Sequence, residues 1–264
     1  HAPPPFYRFI PASHILHAPC SGCPPIGVNP VMLYYRIMPD SPRALLFDFD
    51  GLLFDTETTE MMVWKDIYAG YGLVYPEERW SQNVGLWGTQ HRFDSAAHLQ
   101  DLLGRPLDVQ ALNRRHYDES AARFEQQPAR EGVREYLDAA PRLGLRLAVA
   151  SSSPRAWVET HLARLGLLDR FERLVTGDDV APGRVKPAPD IYLRALEALR
   201  IGPGQAIAFE DSPHGLAAAR QAGIFAVAVP NRTTAGLDLD ADLRLASFTD
   251  LPLERLLERV SLAG

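Results

Sequence analysis

The chain has 264 residues, 46% of them apolar and 23% charged, enough to bury a sizeable core in one large domain or two small ones. A net charge of -6 argues against a nucleic-acid groove or an anionic membrane surface as the main partner, and no apolar run nears the roughly 18 residues of a membrane span. Cys20 and Cys23 are the only cysteines, so there is no disulfide framework, which fits a reducing cytoplasm.

Residues 1–37 hold eight of the 22 prolines and no acidic residue, and they show neither helical nor strand period. Met38 stands six residues before the first predicted strand, and the natural start is expected there, with 1–37 a non-native or disordered leader. In that leader His14, His17, Cys20 and Cys23 offer four N and S ligands. Pro19, Pro24 and Pro25 crowd them, structural zinc sites space their ligand pairs farther apart, and an inert tail is the expectation.

Four apolar residues, 44–47, then run into Asp48-Phe49-Asp50-Gly51. Strand alternation points Asp48 and Asp50 the same way, and Gly51 lets the chain turn just beyond them. Two carboxylates held that close are costly unless a cation sits between them or one carries a proton. Residues 56–129 follow as a long insert that reads as helical almost throughout, with predicted helices at 58–71, 76–84, 93–103 and 109–126. Connections in compact domains are short, so an insert of this size is expected to be a second domain, a helical cap hinged near 56–57 and 127–130.

Beyond the insert, strands predicted at 145–150, 173–176, 206–209 and 224–229 alternate with helices at 132–143, 154–167, 189–199 and 213–222. Ser153-Pro154 and Ser212-Pro213 read as helix starts, and Gly144 and Gly223 as helix ends. Alternation of this kind predicts the α/β class, a doubly wound, mainly parallel, Rossmann-like sheet that binds ligands at the carboxyl ends of its strands. The expected core domain is 38–55 with 130–264, and the cap is 56–129.

Three later segments carry chemistry. The strand ending in Ser151-Ser152-Ser153 brings hydroxyls and free N–H groups to a helix start, a good setting for phosphate oxygens. Helix capping accounts for Ser153, which leaves Ser151, with Ser152 beside it, as the phosphate ligand. Lys186, one of only two lysines against 25 arginines, lies in a proline-stiffened loop where a compact charge suits a phosphoryl group. Another apolar strand stops at Glu210-Asp211, oxygen ligands of the kind Mg²⁺ selects. His214 reads as a helix-start or surface histidine, and Asp178-Asp179 as turn and cap residues.

In this order the four segments resemble the haloacid dehalogenase (HAD) superfamily over residues 44 to about 232. The helical insert after the first motif resembles the branch holding beta-phosphoglucomutase and the phosphoglycolate-type phosphatases. The resemblance implies Asp48 as the nucleophile that forms an aspartyl-phosphate and Asp50 as general acid and base. It implies Ser151, Ser152 and Lys186 as phosphoryl ligands, and Asp48, Glu210, Asp211 and the Asp50 backbone carbonyl as ligands of Mg²⁺. Substrate choice is expected in the cap, at Glu57, Glu60, Trp87 and Gln90. Mutases of the branch carry a histidine where this chain has Glu60, and an arginine shortly after the cap glycine, whereas Gly85 is followed by Leu86-Trp87-Gly88-Thr89-Gln90. The expectation is therefore a cytoplasmic, monomeric, Mg²⁺-dependent phosphatase of a small phosphorylated metabolite, with a sugar-phosphate mutase as the alternative. Asp50 and the size of the insert count against a receiver-type signalling module.

Overall fold

The computed structural model describes residues 42–81, 84 and 93–262. The expected leader with His14, His17, Cys20 and Cys23, and the expected cap residues Trp87 and Gln90, lie outside them. Six parallel strands form one sheet in the order β3-β2-β1-β4-β5-β6: β1 (Ala44–Phe47), β2 (Arg146–Ala150), β3 (Arg173–Val175), β4 (Ala206–Glu210), β5 (Phe225–Ala228) and β6 (Leu243–Arg244). The chain winds outward from β1 on one side and from β4 on the other. The order therefore reverses between β1 and β4, where open α/β sheets bind their ligands.

Side-chain alternation splits the core in two. Leu45, Phe47, Leu147, Val149, Ile207, Phe209 and Val227 face α5 (Val133–Arg142), α6 (Arg155–Arg164) and α9 (Leu253–Leu262), and Phe47 stacks on Phe209 with ring centroids 4.8 Å apart. On the other face Ala44, Leu46, Ala148, Ala150, Ala208 and Ala226 lie under α7 (Asp190–Leu199) and α8 (Pro213–Gln221). Small strand residues there leave room for those helices to pack closely on the sheet.

Between β1 and β2 run α1 (Thr56–Ala69), α2 (Glu77–Ser81), α3 (Ser95–Leu103) and α4 (Val109–Gln126). They bury a cluster of their own, with Trp64, Ile67, Tyr68, Trp80, Leu99 and Leu112 among its members. Asp55 caps α1 by accepting from the Thr58 N–H at 3.1 Å. The two ends of the insert touch. Gln127 donates to the Asp55 carbonyl at 2.9 Å and accepts from the Thr59 hydroxyl at 2.6 Å. Arg130, just beyond, donates to the carbonyls of Gly51, Val229 and Pro230 and so ties the returning chain to the ends of β1 and β5. No helix among the described residues is long and apolar enough to cross a membrane.

The strands and helices follow the sequence expectations closely, with two additions after β5: the two-residue β6 and the helix α9. One local expectation is corrected. Ser212 caps α8 through the Gly215 N–H at 3.1 Å, but Ser153 does not cap α6, whose first residue Arg155 instead donates its N–H to Asp178, 2.8 Å away. Asp179 accepts from the Thr176 N–H and hydroxyl, so both aspartates are turn and cap residues as expected.

Candidate active site

Strand register brings the acidic residues together. Phe47 pairs with Phe209 and with Val149, so Asp48 comes level with Glu210 on one side and Ala150 on the other. Parity then sets the face: Asp48 follows Leu46 and Glu210 follows Ala208, so both carboxylates turn toward α7 and α8. Lys186 lies on that side in the loop before α7. Its ammonium is 2.5 Å from Asp48 Oδ1 and 2.6 Å from Glu210 Oε1, and it stands 5.2 Å from the Tyr192 ring centre. The Tyr192 hydroxyl donates to the same Glu210 oxygen at 2.6 Å.

Asp211 points into the gap between β1 and the end of β5, where Asn231 donates to its Oδ2 at 2.7 Å. Asn231 is in turn held by the N–H and hydroxyl of Thr233, and it also reaches the Gly51 carbonyl at 3.2 Å. Gly51 has φ +78° and Gly215 lies in the first turn of α8. A Cβ at Gly51 would overlap Asp211 and Asn231, and one at Gly215 would overlap the Glu210 carboxylate. Both glycines are therefore required by close approach to the acidic cluster.

Asp50 lies beside the cluster with both oxygens occupied: Oδ2 accepts from the Ser153 hydroxyl at 2.5 Å and Oδ1 from the Trp157 indole at 2.9 Å. Ser153 thus serves Asp50 rather than the helix. Ser151 accepts the Ser153 N–H at 3.1 Å, and the Ser152 hydroxyl accepts the Lys186 N–H at 3.3 Å. Asp48, Asp50, Ser151, Ser152, Ser153, Lys186, Asp211 and Ser212 line one pocket, together with Glu57 and Val84 of the insert. Glu60, one turn beyond Glu57 on α1, is half-buried and not part of that lining. His214 stands at the start of α8, half-buried, with Nδ1 3.2 Å from the Val84 carbonyl, so a core helix meets the insert there.

Desolvation pushes Asp50 up to about 6, helped by the Asp48 charge and opposed by the bond from Ser153. Desolvation also raises Glu210, against the pull of Lys186, and raises Asp211, which feels both Asp48 and Glu210 as well. Burial alone would lower Lys186, but Asp48 and Glu210 outweigh it and hold the ammonium more firmly protonated than usual.

The oxygens of Asp48, Glu210 and Asp211 can approach one another within 4.8 Å, and Glu210 Oε2 is buried with no hydrogen-bond partner. Of these three buried carboxylates, Asp48 and Glu210 share one buried lysine. An all-oxygen donor set with excess negative charge and an orphaned oxygen fits a hard divalent cation. Arg130 is close enough to Asp211 to lower its proton affinity, but its guanidinium is engaged by three carbonyls.

Of the expected core site residues, Asp48, Asp50, Ser151, Ser152, Lys186 and Asp211 line this one pocket, and Glu210 lies buried beside it against Lys186. The sequence reading missed Trp157, Tyr192 and Asn231. Asn231 carried a signal, since it follows the carboxyl end of a parallel strand, where ligands and their supports collect.

The haloacid dehalogenase-like hydrolase family model matches residues 42–223. The protein YhcW of Bacillus subtilis (strain 168) is 41% identical over 220 residues, 83% of this chain and 98% of its own. The phosphorylated carbohydrates phosphatase of Thermotoga maritima is 34% identical over 69% of this chain and 82% of its own. Among solved structures, CbbY from Rhodobacter sphaeroides in complex with phosphate superposes with a TM-score of 0.59 at 31% identity, covering 80% of this chain and 96% of that one.

Proposed function

The chain is an enzyme of the haloacid dehalogenase-like hydrolase family, and from that premise we propose that it hydrolyses a small phosphomonoester, a sugar phosphate or similar metabolite, through an aspartyl-phosphate. The observation that carries this reading is the meeting of Asp48, Asp50, Lys186 and Asp211 in one pocket at the reversal point of the sheet, with Glu210 buried against Lys186. The Thermotoga phosphatase and the phosphate-bound CbbY structure support the substrate class.

In this reading Asp48 attacks phosphorus with a carboxylate oxygen as the bond to the leaving oxygen breaks. Asp50 gives its proton to that leaving oxygen. It then takes a proton from water, whose oxygen attacks phosphorus and breaks the bond to Asp48. A carboxyl titrating near 6 can occupy both states at neutral pH. Lys186, with the hydroxyls and N–H groups at Ser151 and Ser152, holds the phosphoryl oxygens. Asp48, Glu210, Asp211 and the Asp50 carbonyl would hold Mg²⁺, which neutralises charge between the nucleophile and the phosphate. The helical insert serves as the cap that excludes bulk water, with Glu57 at the pocket as a specificity residue and Glu60 behind it.

Purified protein assayed for phosphate release from a panel of phosphorylated metabolites should turn over sugar phosphates with Mg²⁺ and lose that activity with a chelator. A hydrolase without a cationic group at Glu60 should not retain a bisphosphate while it reorients. Given beta-glucose 1-phosphate and a trace of the 1,6-bisphosphate, it should release phosphate, if it accepts these sugars, and form little glucose 6-phosphate by phosphorus NMR. Faster build-up of glucose 6-phosphate would replace hydrolase by mutase.

A second expected result concerns pH. Folding raises the proton affinity of Asp50, Glu210 and Asp211, so the folded state keeps protons that the unfolded chain sheds above its ordinary carboxylate range. The contribution of these three carboxyls to the stability of the cation-free protein should be largest below about pH 4. It should lose up to about 1.4 kcal/mol per pH unit for each proton held, as pH rises through the raised values. Mg²⁺ displaces those protons, so it should raise the melting temperature more at about pH 7.5 than at about pH 5.5. Equal shifts in the two buffers would count against the site.

A further inference from the structure

A carboxylate that must hand a proton to one atom and later take one from another needs a fixed aim, and Thr56, at the start of α1, supplies only the weakest of its side-chain contacts. The other partners of Asp50 supply the aim. Its two oxygens accept from Ser153 Oγ at 2.5 Å and Trp157 Nε1 at 2.9 Å, residues four apart across the start of α6. We propose that Trp157 is a positioning residue for Asp50, its indole N–H fixing the plane of the carboxylate and leaving the Ser153-facing oxygen for proton transfer. This rests on the acid–base role given to Asp50 above.

An indole N–H can only donate, whereas a hydroxyl donates or accepts. The oxygen facing Trp157 is therefore held as an acceptor in every state. The hydroxyl of Ser153 can follow the other oxygen whether or not it carries hydrogen. The indole is itself fixed: its ring stands edge-on to His161, 4.1 Å between centroids, and to Phe124, 5.7 Å away. Below it the first turn of α6 is pinned by Asp178 at the Arg155 N–H. Phe124 belongs to α4, the last helix of the insert, so the group that aims Asp50 also touches the element leading back from the insert to the core.

If Trp157 only fills space, Trp157→Phe, which keeps an aromatic ring and removes the N–H, should leave the chemistry alone. If it positions Asp50, the loss should depend on the leaving group. For a sugar or alkyl phosphate, kcat/KM should fall roughly 10- to 100-fold, the range for a lost hydrogen bond to a charged group. For p-nitrophenyl phosphate, whose leaving oxygen needs little protonation, the fall should be about threefold or less. In an Asp50→Asn background the same change should cost less than about twofold more, because the two act as one unit.

Asp50→Asn alone separates the two ideas. If it shows no leaving-group dependence, the acid–base reading of Asp50 fails. If it shows one while Trp157→Phe slows both substrates alike or neither, the positioning role fails and the reading stands. Should Trp157→Phe not fold, the indole resonances of wild type and Asp50→Ala provide a second measure. One of the four should move upfield and exchange faster once the carboxylate is gone, and a spectrum in which none moves overturns the proposal.

Discussion

Asp48→Asn should fold like the wild type and turn over no substrate above a background roughly 10⁴–10⁶-fold lower, the scale of losing a nucleophile. The amide has the shape of the carboxylate but cannot attack phosphorus. The fold should tolerate it because Asp48 sits among like charges. Replacing it removes one of three clustered carboxylates, while Lys186 keeps Glu210 at 2.6 Å. The melting temperature without divalent cation should therefore hold or rise, and its increase on adding Mg²⁺ should shrink. Phosphate release and thermal melts on the same preparation read both. Turnover within tenfold of wild type would assign the nucleophile to another group.

Lys186→Met should be costly in stability as well as activity. The ammonium is buried between Asp48 and Glu210, and an unbranched apolar chain would leave both carboxylates without their paired cation. Breaking a buried ion pair from one side costs about 3–5 kcal/mol. The loss should be fullest near neutral pH in chelator. It should be smaller in acid, where the raised carboxyls take up protons, and smaller with Mg²⁺. Turnover should fall by roughly 10²–10³ for loss of a preorganised phosphoryl contact. Lys186→Arg should not restore it, because a planar guanidinium cannot occupy the point between two carboxylates and the Tyr192 ring. Denaturant titrations at two pH values measure the first effect. A loss under about 1 kcal/mol near pH 7.5 in chelator would mean that the carboxylates there already hold their protons.

Much of the site was legible because its chemistry lies where strand ends and helix starts meet. The apolar runs before Asp48 and Glu210 predicted two strands ending in carboxylates, and the fold makes them neighbours. What stayed hidden depends on distance in the chain. Ser153 before Pro154 has the local form of a helix cap, yet Asp50, a hundred residues earlier, takes its hydroxyl and Asp178 takes over the capping. Tyr192 sits on a helix whose inward face reads as ordinary core, and only the fold puts Glu210 above its hydroxyl. Leu253, Leu256 and Val260 have the spacing of a buried helix face, but spacing alone does not say that they join the core beside α5. β6, two residues long, has too few positions to show any period.

The contact of Gln127 with Asp55 and Thr59 has a consequence for how such a chain can change. An excursion that leaves and re-enters its host at touching points imposes little strain on it, however long the excursion becomes, because closure entropy grows only slowly with length. The insert is therefore open to exchange short of Phe124, which packs into the core against Phe54 and Trp157. A short turn could replace the helical chain before that residue, or a foreign helical segment could be grafted in its place, while Arg130 keeps the splice anchored to β1 and β5. Under the proposed function, substrate range could then diversify by trading the helices ahead of Phe124, with the chemistry at Asp48 inherited unaltered.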